Sequence, residues 1–161
     1  MEAVSILYSI AEKAAPGRFP SYTPAHVFKA MELISLGFNV GRQQLASRLG
    51  IGEGAARTII KRVKEEGLIT ISSGGMALTD RGNELLKTLY DRTLGTELTP
   101  TGLTVGKCDY AVLVRGTANK IGSGVEQRDF ALLAGAKGAT TLVLRLTILQ
   151  LAHFVSDLSH L

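Results

Sequence analysis

The chain has 161 residues, 45% of them hydrophobic and 20% charged, a balance that excludes a disordered polyelectrolyte and supplies enough apolar side chain for a buried core. Its formal net charge of +4 is a basic bias that admits a polyanionic partner without requiring one. A single cysteine, Cys108, rules out an internal disulfide framework and a cysteine-rich zinc site, which favours a cytoplasmic protein.

Glu2 stands where a secretory signal carries positive charge, so no export is expected. Val4, Leu7, Tyr8, Ala11 and Ala14 recur at helical spacing over residues 3–15, until Pro16 and Gly17 break the pattern. Thr23 before Pro24 is a helix start, since the hydroxyl can cap free amides and proline tolerates the first helical position. Val27, Phe28, Met31, Leu33 and Ile34 carry this second helix towards Gly37. A short third helix begins near Gly41 and holds Leu45, Ala46 and Leu49; Gly50 supplies a sharp turn, and a fourth helix runs from about Glu53 to Glu66 with Gly67 as its stop. Two helices so closely joined form a helix-turn-helix pattern. Ile69 and Ile71 then alternate with Thr70 and Ser72, SSGG makes a turn, and Met76 and Leu78 resume the alternation, which predicts a hairpin. Asp80 is expected to cap a further helix to about Leu94, with Leu85, Leu86, Leu89 and Tyr90 as its buried stripe.

Residues 96–104, TELTPTGLT, are polar and turn-rich and read as a linker, dividing the chain into domains at 1–95 and 96–161. Beyond it, CDYAVLVRG is a strand, GTANKIGSG a glycine-rich loop, VEQRDFALLAGA helical and ATTLVLRLTILQL a second strand. Strand, helix, strand within this length fits a unit with a parallel pair, with an additional intervening strand left open. The apolar run ATTLVLRLTILQLAHFV is interrupted by Arg145, Gln150 and His153 and is too short to span a membrane. The expected fold class is therefore α+β: an N-terminal winged helix-turn-helix, mainly helical with a hairpin wing, followed by a small α/β domain containing a strand-helix-strand unit.

The fourth helix carries the strongest functional signal. Ala56, Ile59, Ile60 and Val63 share one side, while Gly54, Thr58 and Lys61 lie opposite, flanked by Arg57, Arg62 and Lys64. Small residues at the leading end let a helix approach a major groove; the flanking cations meet phosphates, and Arg57 or Thr58 can reach base edges. Residues 41–64 hold six cations against Glu53 alone, an excess of five that leaves the rest of the chain at −1. An exposed basic helix can also be no more than a solvated face. The hairpin turn around Ser73 would be the wing, although its tip lacks a basic residue.

LASRLGIGEGAARTIIKRVKEEGLI followed by GGMALTDRG resembles the winged helix-turn-helix domains of prokaryotic, notably archaeal, transcriptional regulators. The resemblance implies that Arg42 and Gln43 meet backbone phosphates and that Arg57, Thr58 and Lys61 face the groove of double-stranded DNA. The short, uncharged wing departs from that pattern. VEQRDFALLAGAKGATTLVL is similar to the C-terminal α+β domain of an archaeal family that pairs it with a winged helix and assigns it no role.

In the second half, Lys120, Gly122, Ser123, Gly124 and Arg128 surround a helix start whose free amides could hold a small anionic effector; a plain connecting loop is the alternative. Glu126, Arg128 and Asp129 are expected to serve the helix itself. His26, His153 and His160 lack metal-ligand spacing, Cys108 opens an apolar strand, and no catalytic set, metal or cofactor is expected. A domain of about 60 residues buries little of its own surface, so a homodimer is expected through the second domain, with packing against the chain's own winged helix as the alternative. Two other readings compete: a protein-interaction scaffold built on a winged helix that binds no DNA, and a small enzyme or phosphate-ligand binder using residues 116–129.

Overall fold

Helix ends, more than helix interiors, set the geometry of the N-terminal half. The structure, a computed structural model, describes residues 2–12, 21–37, 40–100, 102, 106–145 and 148–151. It divides into two units, Met1–Tyr90 and Asp91–Leu161. The first contains α1 (Glu2–Glu12), α2 (Pro24–Ser35), α3 (Arg42–Leu49), α4 (Glu53–Glu65), β1 (Ile69–Ser72), β2 (Gly75–Leu78) and α5 (Asp80–Tyr90). Helix, turn, helix, hairpin, helix is the order of a winged helix-turn-helix. The helix stop expected at Pro16 and Gly17, and the tail 152–161 with His153 and His160, lie outside the described residues.

Thr23 starts α2, and its backbone N–H donates to Nδ1 of His26 at 3.0 Å, so this histidine completes a cap. Gly41 precedes α3, and its N–H donates to Oε1 of Gln44 at 3.3 Å. Both helices of the motif end in the same way. Gly50 adopts φ 65°, and the Ile51 N–H reaches back to the Ala46 carbonyl at 3.1 Å. Gly67 adopts φ 69°, and the Leu68 N–H reaches the Val63 carbonyl at 3.0 Å. A side chain at either glycine would strain this left-handed turn, while the hydrogen bonds it makes satisfy carbonyls that the helix end leaves free.

The cap of α5 is Thr79, not the expected Asp80. Its hydroxyl accepts the Gly82 N–H at 3.1 Å and donates to the Gly67 carbonyl at 2.7 Å, while its own N–H donates to the Leu68 carbonyl at 3.0 Å. One residue thus joins the end of α4, the start of β1 and the start of α5. The approach is close enough that a Cβ at Gly82 would collide with the Leu68 carbonyl oxygen. The helix also stops at Tyr90 rather than near Leu94, because the following residues pair as a strand.

Ile10, Val27, Met31, Leu45, Ile59, Val63 and Leu68 are the largest fully buried side chains, drawn from four helices and the entry to β1. Phe28 and Tyr90 meet edge to face at 5.8 Å between ring centroids. Tyr90, expected in the buried stripe of α5, stays 43% exposed; its partial burial, the hydrogen bond to Glu32 and the negative charge of Glu32 push its phenol up to about 12. Burial also raises Tyr22, opposed by the charge and hydrogen bond of Arg62.

In the second unit β3 (Thr93–Leu98) pairs antiparallel with β4 (Asp109–Val114), a 3-10 turn covers Ala118–Lys120, α6 spans Val125–Leu133, and β5 (Leu142–Arg145) pairs antiparallel with β6 (Ile148–Leu151). The strand-helix-strand order is present, but the expected parallel pair is not: each strand pairs with its neighbour in sequence, so β4 and β5 belong to different sheets. Two expectations change with it. Thr96–Leu98, read as linker, completes β3, and residues 139–151, read as one strand, hold two, β5 and β6, each supplying the other's backbone partners. Tyr110 lies across the pair over Gly95, where a Cβ would collide with its ring and hydroxyl.

Two outcomes are expected. Gly82→Ala would raise helix propensity at an unconstrained position by about 1 kcal/mol; here the collision with Leu68 should instead lower the unfolding free energy by about 2–3 kcal/mol in denaturant titrations. Because the Tyr90 phenol is raised above its unfolded value of about 10, its contribution is complete below that pH and disappears as pH climbs to about 12. Stability measured across that window should fall, and Tyr90→Phe should remove part of the fall.

Candidate nucleic-acid interface

The basic face exists because α4 is divided lengthwise. Ala55, Ala56, Ile59 and Val63 are buried, whereas Gly54, Arg57, Lys61 and Lys64 are exposed and Thr58 is half-buried. At 100° per residue counted from Gly54, Lys61 stands at about 340°, Arg57 at about 300° and Thr58 at about 40°, one continuous exposed arc. Glu53 in the first turn and Arg62 with Lys64 in the last complement the helix dipole.

The floor of the arc is low. A Cβ at Gly54 would meet nothing within 4 Å, so the glycine leaves room for an approaching surface and relieves no internal crowding. The Thr58 hydroxyl donates to the Gly54 carbonyl at 2.9 Å, which fixes its proton on the helix and leaves its lone pairs outward. Arg57 and Lys64 form no ion pair among the described residues. Lys61 stands 3.8 Å from Glu65 and Arg42 3.9 Å from Glu53, both exposed pairs of the kind worth less than about 1 kcal/mol and readily exchanged for a phosphate.

Arg42 and Gln43 open α3 and are exposed, as a role in contacting backbone phosphates would require. Ser73 is exposed at the tip of the β1–β2 hairpin, whose strands have four residues each. The Ser72 hydroxyl accepts the Gly74 N–H at 3.2 Å and braces that turn. Arg81, the basic residue nearest the hairpin in sequence, is turned away from it: its guanidinium donates to the Glu66 carbonyl at 2.6 Å and closes the C-terminus of α4.

Arg62 departs from its expected place on the exposed arc. At about 80° on the same wheel it borders the buried side, and its guanidinium points inward, donating to the Ile10 carbonyl at 2.9 Å and to the Tyr22 hydroxyl. The exposed cations of α3 and α4 are therefore Arg42, Arg48, Arg57, Lys61 and Lys64.

The anion-site candidates of the second unit come together less well. Lys120 is exposed in the 3-10 turn, and Gly122 and Ser123 are exposed in the loop that follows. Gly124 is buried with φ 77°, and the Ser123 hydroxyl accepts the Val125 N–H at 3.4 Å. Arg128 is held by Asp129 at 3.0 Å, which partly neutralises the charge an anion would need. Among the described residues there is no group of three His, Cys, Asp or Glu side chains able to hold a metal ion, and no helix is long and apolar enough to cross a membrane.

Residues 26–94 match the family described as CggR N-terminal DNA binding domain, and residues 105–159 match a domain of unknown function, DUF4443. The chain is similar to the central glycolytic genes regulator of Bacillus subtilis (strain 168), 39% identical over 64 residues. That stretch is 40% of this chain and 19% of the relative, so the chain spans under a fifth of the relative's length. These similarities support a DNA-binding domain of the kind found in transcriptional regulators for the unit that contains α3 and α4.

Gly54→Ala separates the two properties of the arc. The substitution should leave the fold intact or raise its stability by up to about 1 kcal/mol in thermal unfolding. Duplex affinity measured on the same preparation should nevertheless fall, since the added methyl lifts α4 away from the surface it approaches; equal or tighter binding would remove Gly54 from the interface.

Proposed function

We propose that the chain is a sequence-specific, double-stranded DNA-binding transcriptional regulator that lays α4 in the major groove. The observation that carries this reading is the exposed arc of Gly54, Arg57, Thr58, Lys61 and Lys64 on a helix whose other side is locked in the core. Phosphates on one side of the groove would be met by Arg42, Gln43 and Lys64, and base edges by Arg57 and Thr58. Ser73 would touch the backbone beside the groove, without the electrostatic reach of a basic wing. Such work places the protein in the cytoplasm.

For the second unit we propose dimerisation, with a small anionic effector as its possible ligand. Support for the first comes from apolar side chains that its own structure leaves in the open: Tyr110 is 62% exposed, Phe130 72% and Leu133 84%. A two-fold dimer would present two copies of α4 to half-sites about one helical turn apart. Support for the effector rests only on the helix start near Lys120 and Gly124, and is the weaker for the Arg128–Asp129 pair. The Lys61–Glu65 and Arg42–Glu53 pairs favour a second reading, a winged-helix scaffold whose basic face is simply solvated.

A salt titration decides between them. With Arg42, Lys61 and Lys64 neutralising about three phosphates per domain, the logarithm of the binding constant for a random duplex should fall against the logarithm of salt concentration with a slope between about −2 and −4. Arg57→Glu combined with Lys61→Glu should abolish retention without altering the circular dichroism spectrum. Unaltered retention in that double variant, or a flat titration, supports the scaffold.

A further inference from the structure

We infer that Arg62 is a positioning residue: it fixes the orientation of α4 by tying that helix to α1 and to Tyr22, and it makes no contact with a phosphate. The functional consequence rests on the DNA-binding reading above, whereas the tether stands on geometry. Arg62 Nη1 donates to the Ile10 carbonyl at 2.9 Å and to the Tyr22 hydroxyl, and the guanidinium carbon lies 5.8 Å from the centroid of the Tyr22 ring. The Tyr22 hydroxyl in turn donates to the same Ile10 carbonyl at 3.4 Å, closing a three-residue cluster. Ile10 and Tyr22 are both buried.

The acceptor explains the choice of residue. The Ile10 carbonyl belongs to α1 and lies beside the buried Tyr22, where a charged donor makes a stronger hydrogen bond than a neutral one. A guanidinium meets two acceptors and an aromatic face at once with a planar array of donors, which a strongly hydrated ammonium does not.

Without the tether, α4 is held to the core by Ala55, Ala56, Ile59 and Val63. Apolar contact is non-directional, so this stripe presses the helix inward while resisting rotation about its axis only weakly. A hydrogen bond of fixed geometry from the flank of the helix adds a directional constraint to those that Thr79 and Arg81 supply at its C-terminus. Rotation of α4 would carry Arg57, Thr58 and Lys61 out of line with the groove together. Both partners of Arg62 precede residue 26, where the match to the DNA-binding family begins. In this chain, α1 therefore acts behind the basic face as an orienting strut.

The test uses the full chain with Arg62→Lys, which keeps the charge, Tyr22→Phe, which keeps the ring, and Arg62→Met. Affinity for a fixed duplex is measured over a range of salt, and backbone amide exchange is followed in residues 9–12 and 62–65. The tether predicts that Arg62→Lys and Tyr22→Phe each weaken binding about threefold to tenfold, that none of the three changes the salt slope, and that exchange quickens in both segments. A phosphate contact predicts instead that Arg62→Lys and Tyr22→Phe bind within about twofold of the parent and that Arg62→Met reduces the slope by about 0.9; that result overturns the inference. If the parent chain binds no duplex, the DNA-binding reading fails, and the tether is judged on exchange alone: unchanged exchange in Arg62→Lys and Tyr22→Phe overturns it.

Discussion

Burial of one side of α4 is the constraint on which the basic face depends. Ala55, Ala56, Ile59 and Val63 are sequestered there, and burying an isoleucine or valine contributes about 1.5–3 kcal/mol relative to exposure. Repulsion among Arg57, Lys61 and Lys64 acts through water and costs a fraction of that. The hydrophobic stripe therefore wins, and like charges can be gathered on one surface without unfolding the helix that carries them. The C-terminal end of α4 is held as well, by the Gly67 turn behind it and by the Thr79 hydroxyl on the Gly67 carbonyl.

Much of this was legible in the residues, for a physical reason. Turns at Gly50 and Gly67 are local events, decided by a left-handed backbone and hydrogen bonds five residues long, so a glycine after an apolar periodic run announces them. The alternation around SSGG announces the hairpin in the same way. Arg62 shows where such reading stops. Charge and helical periodicity together put it on the flank of the exposed arc. Whether a flanking arginine turns out or in depends on an acceptor 52 residues away, and the Ile10 carbonyl leaves no trace in composition. Thr79 and Asp80 differ similarly: both are good cap residues, and the choice follows from where the Gly67 carbonyl sits.

The second unit was legible in its order of elements and illegible in their pairing. An apolar β-branched run says that a strand forms, while its partner is set by tertiary contacts. Polar Thr96 and Glu97 concealed β3, because a strand that is open to water can carry polar residues and still pair through its backbone. Two-stranded sheets are marginal by themselves, and here apolar residues of β4 and α6 stand exposed. This is the physical basis for proposing that the unit associates.

Backbone amide shifts of the labelled protein, followed while a random-sequence duplex is added at low ionic strength, test the central claim most directly. The account predicts shifts that concentrate on Gly54, Arg57, Thr58 and Lys61, extend to Arg42 and Gln43, and revert when salt is raised. Shifts absent from α4, or confined to residues beyond Tyr90, would contradict it.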